Sequence, residues 1–542
     1  MSAAVAVAAG AIGFAAGPPT ATAAPAVGTG EGYLSTNGTD IVDANGDVVR
    51  LTGVNWFGLE TPERMFHGLW ASTPWRYHID TMADLGYNTI RVPYSNDILK
   101  PGATVGGGIN TASNADLLGL TPLEILDTVI DYAGTKGMRV ILDRHRPTGS
   151  GQSSLWYTGD VPESKWISDW QFLAEHYAGD TTVIGADLHN EPHAEGVIPN
   201  PTGACWTNPY PASDPRHCDP ERDWRAAAER AGNAIHEVNP DWLIIVEGVS
   251  TPSGGTAPAW IPPGEEDRYE QNTNWWGGYL ALAGDYPVEL DVANKLVYSP
   301  HDYANSVFSQ QPWFEDDVFP ASLVPHWDEQ WGYLVDEGIA PVLVGEFGST
   351  LRDPEDRVWL PTLLDYLDTK GISWTYWSWN PNSGDTLGIL EGDWFTVDRV
   401  RQDVLDPYLN FPPVPGPGST PSPTPTTPGP TSTTPGPTST TPMPAGDCSA
   451  VVSVANAWPG GFQAAITVTA GSSPLTGWTL TFPAAGYTIA DAWGTRVTVS
   501  GGTVTAENAS WNGSLPAGGT ATAGFNGSGT APSGVTASCE GS

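Results

Sequence analysis

Ionisable and hydrogen-bonding side chains recur at the carboxyl ends of eight apolar runs upstream of residue 380. In chain order the runs cover residues 49–56, 88–94, 139–145, 183–191, 242–248, 295–303, 341–348 and 373–379. The side chains at or near their ends are Asn55, Trp56, Arg91, Asp143, His145, Asn190, Glu191, Glu247, His301, Tyr303, Glu346 and Trp377. Because a charged group leaving a buried strand needs a partner or a chemical task, the repeated pattern predicts an active site.

Three glutamates at these ends are candidates for acid/base or nucleophilic work: Glu191, Glu247 and Glu346. Hydrolysis of a glycosidic bond uses two carboxyl groups, one to protonate the leaving oxygen and one to attack the anomeric carbon or activate water. Glu191 and Glu346 could face each other across a barrel. A separation of about 5–5.5 Å predicts retention and a wider one inversion, and the sequence leaves both open. For Glu247, a role as an ion-pair partner is the favoured interpretation.

Helix-like segments separate the apolar runs, for example at residues 122–136, 224–238 and 324–337. Thr121 is a suitable N-cap and Pro122 suits the first helical position. Strands that alternate with helices predict a parallel sheet, and eight such units favour a closed (β/α)8 TIM barrel. Its strand ends converge on one face, where active sites lie. An open doubly wound sheet is the alternative, but no glycine-rich phosphate loop follows the first run.

Composition divides the chain into four parts. Residues 1–26 are Ala- and Val-rich and end in small residues, which predicts a signal peptide. Residues 27–411 contain the eight runs, and residues 412–446 form an uncharged Pro/Thr/Ser-rich stretch typical of an extended linker. Residues 447–542 contain short alternating runs broken by Gly, Pro and Asn, which predict a small all-β sandwich.

The net charge of −39 argues against nucleic acid or an anionic membrane as a partner, whereas a neutral polysaccharide meets no such repulsion. The 24 tryptophans supply flat faces for sugar rings, although many are expected to fill the core. The cysteines suggest two local pairs, Cys205 with Cys218 and Cys448 with Cys539. Two Cys and one adjacent His make a poor zinc site, so we expect no metal. We also expect no cofactor and a monomeric chain.

The ordered motifs resemble glycoside hydrolase family 5, and within it secreted bacterial endoglucanases. The resemblance is strongest at Ile-Gly-Ala-Asp-Leu-His-Asn-Glu-Pro-His (184–193), where Asn-Glu-Pro ends the fourth strand. Other matching motifs occupy residues 53–58, 88–94, 142–147, 298–303, 344–348 and 375–379.

This resemblance implies that Glu191 is the general acid/base and Glu346 the nucleophile. The remaining implied site residues are Arg91 and Tyr303 beside the nucleophile, His301 near the acid/base, Asn190 on the sugar 2-hydroxyl, and His145 and Trp377 at the reacting sugar. Of the other aromatic residues, Trp56 is expected to line the glucan cleft because it ends a strand.

The carboxyl-terminal part resembles carbohydrate-binding module family 2 at residues 458–462, 477–478, 493 and 510–513 and at the terminal Cys. The resemblance implies that Trp458, Trp493 and Trp511 form an exposed strip that stacks on cellulose, and that Trp478 lies in the core.

Together the two resemblances imply an endo-acting β-1,4-glucanase that the module concentrates on solid cellulose or a related β-glucan. A β-mannanase or xyloglucanase on the same barrel is an alternative. A non-catalytic carbohydrate-binding protein would be expected to lack one of the two key carboxylates, and both are present.

Overall fold

The computed structural model describes residues 28–409, except 198–199, 215, 251–273, 310 and 316, and residues 448–541, except 459–460, 485–486, 494, 509–512, 514, 516 and 530–534. The expected signal peptide (1–26) and linker (412–446) lie outside the described residues. Contacts divide the chain into two compact units, one within residues 1–422 and one within residues 423–542. In the part of the chain that the structure describes, no helix has the length and apolar character needed to cross a bilayer.

A closed barrel of eight parallel strands forms the centre of the first unit, so the predicted (β/α)8 fold is confirmed. The first to eighth barrel strands are Thr52–Asn55, Thr89–Ser95, Arg139–Arg146, Val183–Asp187, Leu243–Glu247, Leu296–Ser299, Leu343–Val344 and Ser373–Tyr376. Neighbours in the chain pair in parallel, and the eighth strand pairs with the first. The sixth and seventh strands are joined by a Tyr298–Val342 bridge. Their continuations, His301–Tyr303 and Glu346–Gly348, also pair in parallel.

Helices surround this barrel. They are Trp75–Asp84, Pro122–Thr135, Glu163–His176, Trp224–His236, Leu323–Trp327, Tyr333–Asp336, Asp356–Lys370 and Arg399–Leu405. The Pro122–Thr135 helix begins with the expected cap, because Thr121 and Glu124 exchange side-chain-to-backbone hydrogen bonds in a capping box. The helix predicted at 324–337 instead widens into a π-helix over Asp328–Gly332, where Tyr366 donates a hydrogen bond to Asp328 (2.7 Å).

Short elements complete the first unit. Single 3-10 turns cover Asn96–Leu99, Ala115–Leu117, Pro312–Phe314 and Asp406–Tyr408. Small antiparallel strands are Ser35–Asn37, Asp40–Val42 and Val48–Val49, and Gly196–Val197 with Asn200–Pro201. Ile41 and Val49 join Ile141, Ile184 and Leu243 in a hydrophobic cluster that contains residues of the barrel strands. Many tryptophans are fully buried, as expected for residues that fill the core.

The second unit is the predicted all-β sandwich, with antiparallel pairing throughout its described strands. One sheet contains, in order, Tyr487–Trp493, Thr520–Gly529, Gly461–Ala470, Cys448–Trp458 and Val535–Thr536. The other contains Thr495–Ser500, Thr503–Asn508, Trp478–Pro483 and Ser538–Gly541. A disulfide between Cys448 and Cys539 joins the two sheets. Trp478 lies in the core, as expected.

The expected exposed strip of the sandwich stays a prediction. Trp458 and Trp493 end two strands of the same sheet. Trp511 lies outside the described residues.

A buried carboxyl beside the barrel links two helices, and it supplies a stability prediction. Asp302 accepts hydrogen bonds from the indole nitrogens of Trp327 and Trp359, each at 3.0 Å. Asp302→Ala leaves two buried N–H groups without an acceptor, so the free energy of unfolding should fall by about 2–4 kcal/mol. Urea denaturation followed by tryptophan fluorescence measures this change. Asp160→Ala, at an exposed aspartate, is the control and should change the value by less than about 0.5 kcal/mol. A similar small change in Asp302→Ala would contradict the role of the indole bonds.

Candidate active site

The guanidinium of Arg91 stands at the centre of the carboxyl-terminal face of the barrel, fully buried. Its Nη1 lies 2.5 Å from Glu346 Oε1 and 3.1 Å from Asp143 Oδ2. Its Nε donates to Asp187 Oδ2 (2.8 Å), and its Nη2 donates to Glu247 Oε1 (3.1 Å). Residues of five different barrel strands, or of their continuations, therefore meet around one cation.

One cation cannot neutralise four buried carboxylates, so the pKa values of the cluster are shifted. Burial, only partly offset by the neighbouring cations, raises the pKa of Asp187 to about 6, that of Asp143 to about 7 and that of Glu247 to about 8. Burial opposes the charge of Arg91, but the surrounding carboxylates outweigh it and raise the pKa of the guanidinium. Arg91 is therefore a fixed positive charge.

Glu346 is held by donors on both of its oxygens. Arg91 contacts Oε1, and the hydroxyl of Tyr303 donates to Oε2 at 2.6 Å. His145 Nδ1 lies 3.8 Å from Oε1. These contacts orient the carboxylate towards the cleft side of the barrel, where it is 3% exposed.

Glu191 follows the fourth barrel strand and is held by different neighbours. Its Oε1 lies 3.1 Å from His301 Nδ1, and its Oε2 accepts a hydrogen bond from Gln152 Nε2 at 2.8 Å. Glu191, His301 and Glu346 each place one side-chain atom within 4.8 Å of the other two. The structure therefore brings together both carboxyls that the sequence singled out.

Glu191 and His301 share a proton. Burial raises the pKa of Glu191, but the hydrogen bond and charge of His301 outweigh it, and the net shift is downward. Burial lowers the pKa of His301, but the carboxylates of Glu247, Glu346 and Glu191 raise it well above 6.5. The proton of the pair therefore rests on the imidazole.

His145, Trp377 and Asn190 line the same face. The His145 ring stacks on Trp377, with ring centres 5.4 Å apart and planes 8° apart, and its Nδ1 lies 2.6 Å from Asp143 Oδ2. Burial lowers the pKa of His145 to about 3, so this imidazole is neutral. Asn190 Oδ1 accepts from Arg91 Nη2 at 3.0 Å, while its buried Nδ2 has no hydrogen-bond partner among the described residues. That amide can donate to a bound molecule.

The expectation that Trp56 lines the cleft is wrong. Asn55 turns into the barrel, where its Nδ2 donates to Gly345 O (3.0 Å), and alternation along the strand turns Trp56 the other way. Trp56 is 0% exposed, and its indole nitrogen donates to a backbone carbonyl. Phe57 instead stacks on Trp377, with ring centres 5.3 Å apart.

Two contributors were missed by the sequence reasoning. Asp187 lies inside the fourth apolar run, and its charge within a buried strand was an available signal. Gln152 lies after the third strand, in a stretch with no pattern that marks it.

A metal could in principle use Asp143, Asp187 and Glu247, whose oxygens lie within 4.8 Å of one another. The guanidinium of Arg91 contacts all three and supplies the positive charge instead. Cys205 and Cys218 form a disulfide.

A (β/α)8 barrel with two adjacent glutamates, one beside an arginine and a tyrosine and the other beside a histidine, defines a glycoside hydrolase. The chain belongs to glycosyl hydrolase family 5: residues 42–383 match the family model described as Cellulase (glycosyl hydrolase family 5). Residues 448–541 match the model described as Cellulose binding domain. Both families suggested by the sequence motifs are confirmed.

Individual relatives agree with this assignment. An endoglucanase of Paenibacillus polymyxa is 46% identical over 69% of this chain and 86% of its own length. The major extracellular endoglucanase of Xanthomonas campestris pv. campestris is 38% identical over 92% of this chain and 96% of its own length. A cellotetraose complex of the endocellulase from Pyrococcus horikoshii has a TM-score of 0.62 at 37% identity and covers 70% of this chain and 98% of that chain.

Loss of the central cation should make stability depend more strongly on pH. A carboxyl whose folded-state pKa lies above its unfolded value contributes less stability as the pH rises from the unfolded pKa to the folded one. Arg91→Met raises the folded pKa values of Asp143, Asp187 and Glu247 further above their ordinary values of 3.8 and 4.5. The variant should therefore lose about 3–5 kcal/mol at pH 8 and less at pH 5.

Urea denaturation at both pH values tests this prediction. The control is Arg230→Met, which removes an exposed ion pair with Glu163 and should cost about 0–1 kcal/mol at either pH. A loss in Arg91→Met that is equal at pH 5 and pH 8, or larger at pH 5, would contradict it.

Proposed function

We propose that this family 5 hydrolase is a secreted endo-β-1,4-glucanase that cleaves internal bonds of cellulose with retention of configuration. The observation that carries the proposal is the proximity of Glu191 and Glu346, whose nearest oxygens lie within 4.8 Å. Retaining enzymes keep their carboxyls about 5–5.5 Å apart, whereas inverting enzymes need about 6.5–9.5 Å to admit water. The endoglucanase names of the relatives favour the glucan chain as substrate.

In the first step, Glu346 attacks the anomeric carbon while Glu191 donates a proton to the departing oxygen. The bond from the anomeric carbon to the leaving sugar breaks, and a covalent glycosyl ester forms on Glu346. The contacts of Arg91 and Tyr303 with Glu346 (2.5 and 2.6 Å) orient the attacking oxygen. The proton that rests on His301 passes to Glu191 across their 3.1 Å contact as Glu191 protonates the leaving oxygen.

In the second step, Glu191 removes a proton from water, and the water oxygen attacks the anomeric carbon. The ester bond breaks, and Glu346 leaves as a carboxylate. The two glutamates can play different parts because their surroundings differ. One faces a permanent cation, and the other faces a histidine that takes up and releases protons.

Binding of the reacting sugar would use the remaining residues. Asn190 Nδ2 is buried and, in the part of the chain that the structure describes, unpartnered, so it is suited to donate to the 2-hydroxyl of the sugar. Trp377 is half-buried and stacks with His145 and with Phe57, and the exposed part of its indole offers an apolar surface to a sugar ring. Because this chain supplies a residue for each role in the proposed reaction, we propose that the enzyme acts as a monomer.

The remaining parts of the chain would deliver the enzyme to its substrate. We propose the boundaries 1–26 for the signal peptide, 27–411 for the barrel, 412–446 for the linker and 447–542 for the cellulose-binding unit. Secretion is supported by the similarity to the major extracellular endoglucanase. Trp458, Trp493 and Trp511 would form the cellulose-binding strip.

NMR of the products formed from cellotetraose tests substrate and stereochemistry together. The β-anomer should appear first and then mutarotate, because two displacements restore the configuration. Glu346→Gln should lose at least about 10³-fold in kcat while still binding cellulose, whereas Glu391→Gln, at an exposed glutamate, should behave as wild type. An α-anomer at first, retained turnover in Glu346→Gln, or faster cleavage of mannan or xyloglucan would contradict the proposal.

Deletion of residues 412–542 should separate catalysis from targeting. Hydrolysis of soluble carboxymethylcellulose should stay within about twofold of the full chain, while hydrolysis of crystalline cellulose should fall by about tenfold, because the effective concentration at the solid surface is lost. Reducing-sugar assays on both substrates measure this. Equal losses on the two substrates would contradict a targeting role.

A further inference from the structure

A third glutamate, Glu247, lies beneath the two that react, and the mechanism above gives it no task. It ends the fifth barrel strand and is fully buried. Its Oε2 accepts a hydrogen bond from the backbone N–H of Glu191 at 2.6 Å. Its Oε1 lies 3.3 Å from His301 Nε2 and 3.1 Å from Arg91 Nη2. One carboxylate thus contacts the acid/base residue through its backbone and through its imidazole neighbour.

The backbone contact matters because Glu191 has a φ of +53°. Side-chain-bearing residues rarely adopt this left-handed conformation, and one that does so at a site is held there by its surroundings. The N–H of Glu191 is directed at a fixed acceptor, Glu247 Oε2. The contact therefore sets the direction in which the Glu191 side chain leaves the strand.

The carboxylate of Glu247 fits in this position only because Gly277 has no side chain. A Cβ at this glycine would collide with Glu247 Oε2 and would lie 3.5 Å from the Cα of Glu191. The carbonyl of Gly277 accepts from the N–H of Gly248, the residue after Glu247, at 2.8 Å. The loop is thus packed closely against the carboxylate and leaves it little room to move.

The position of Glu247 distinguishes the two nitrogens of His301. Glu247 Oε1 lies 3.3 Å from Nε2 and already accepts a hydrogen bond from Arg91 Nη2, so this oxygen favours a proton on Nε2, while Nδ1 lies 3.1 Å from Glu191 Oε1. Nδ1 is then the nitrogen that gives a proton to Glu191 Oε1 and takes it back.

We propose that Glu247 is a positioning residue for the proton-transfer steps: it fixes the backbone of Glu191 and orients His301 so that Nδ1 exchanges the proton with Glu191. This inference rests on the proposed role of Glu191 as acid/base. It assigns Glu247 no contact with the substrate.

The test compares two substrates that differ in their need for a proton. Cellotetraose needs protonation of its leaving oxygen, whereas 2,4-dinitrophenyl β-cellobioside releases a stable phenolate without it. Glu247→Gln keeps the size of the side chain but replaces one acceptor oxygen with an NH2 group, which cannot accept from the N–H of Glu191 or from Arg91. We expect kcat/KM for cellotetraose to fall by about 30- to 100-fold, and kcat/KM for the aryl cellobioside to fall by less than about threefold.

Reference variants make the result interpretable. Glu191→Gln should show the same split, that is, a larger loss of kcat/KM for cellotetraose than for the aryl cellobioside, and its loss for cellotetraose should exceed that of Glu247→Gln. Glu391→Gln should lower kcat/KM for neither substrate. If Glu191→Gln lowers kcat/KM equally on both substrates, the proposed acid/base assignment fails. The other decisive result is that Glu191→Gln shows the split while Glu247→Gln lowers kcat/KM equally for the two substrates or leaves both values unchanged. That result would overturn the positioning role of Glu247.

Folding is checked by circular dichroism and thermal unfolding of each variant. Should Glu247→Gln not fold, Glu247→Asp replaces it, because the shorter side chain keeps the carboxyl group but cannot reach the N–H of Glu191 and His301 together. The same split, in favour of the aryl substrate, is expected. Failure of both variants to fold would assign Glu247 to stability alone and overturn the proposal.

Discussion

The charge of Arg91, buried among four carboxylates, is the interaction on which the rest of the site depends. Asp143, Asp187, Glu247 and Glu346 could not be kept close together in the barrel interior without a cation, because their mutual repulsion and desolvation would drive them apart or protonate them. The guanidinium satisfies this geometry since it presents several N–H donors in one plane. The contact with Glu346, at 2.5 Å, is the shortest of its four ion pairs.

Around this fixed charge the protons of the site are distributed unevenly. Glu346 is oriented by Arg91 and Tyr303, whose charge state does not change near neutral pH. Glu191 is paired with His301, which is itself placed between carboxylates, so its proton can move over a short distance. Two residues of the same type thus acquire different chemistry from their neighbours, which is how one barrel can supply both an acid and a nucleophile.

Much of the fold followed from the sequence because polar residues mark the strand ends. The eight apolar runs locate the eight barrel strands, but they extend too far at several ends, as at Trp56, where the chain leaves the barrel and the indole turns outward. The helix expected at 324–337 contains a π-helix, and within it Asp328 accepts a hydrogen bond from Tyr366 of a helix distant in the chain. The hydrophobic pattern of a segment cannot predict its contacts with segments that are distant in the chain. Gln152 was missed for the same reason, since only folding brings its loop to Glu191.

The order of the strands, the family and the identity of the residues at the strand ends could all be predicted from the amino-acid sequence. They depend on hydrophobic periodicity and on local motifs, and not on the residues across the barrel. The folded arrangement was needed to establish which carboxylates contact Arg91, which proton each glutamate can use, and which aromatic residues reach the cleft. Those outcomes depend on distances of a few ångströms between residues far apart in the chain, because burial and charge pairing act through space.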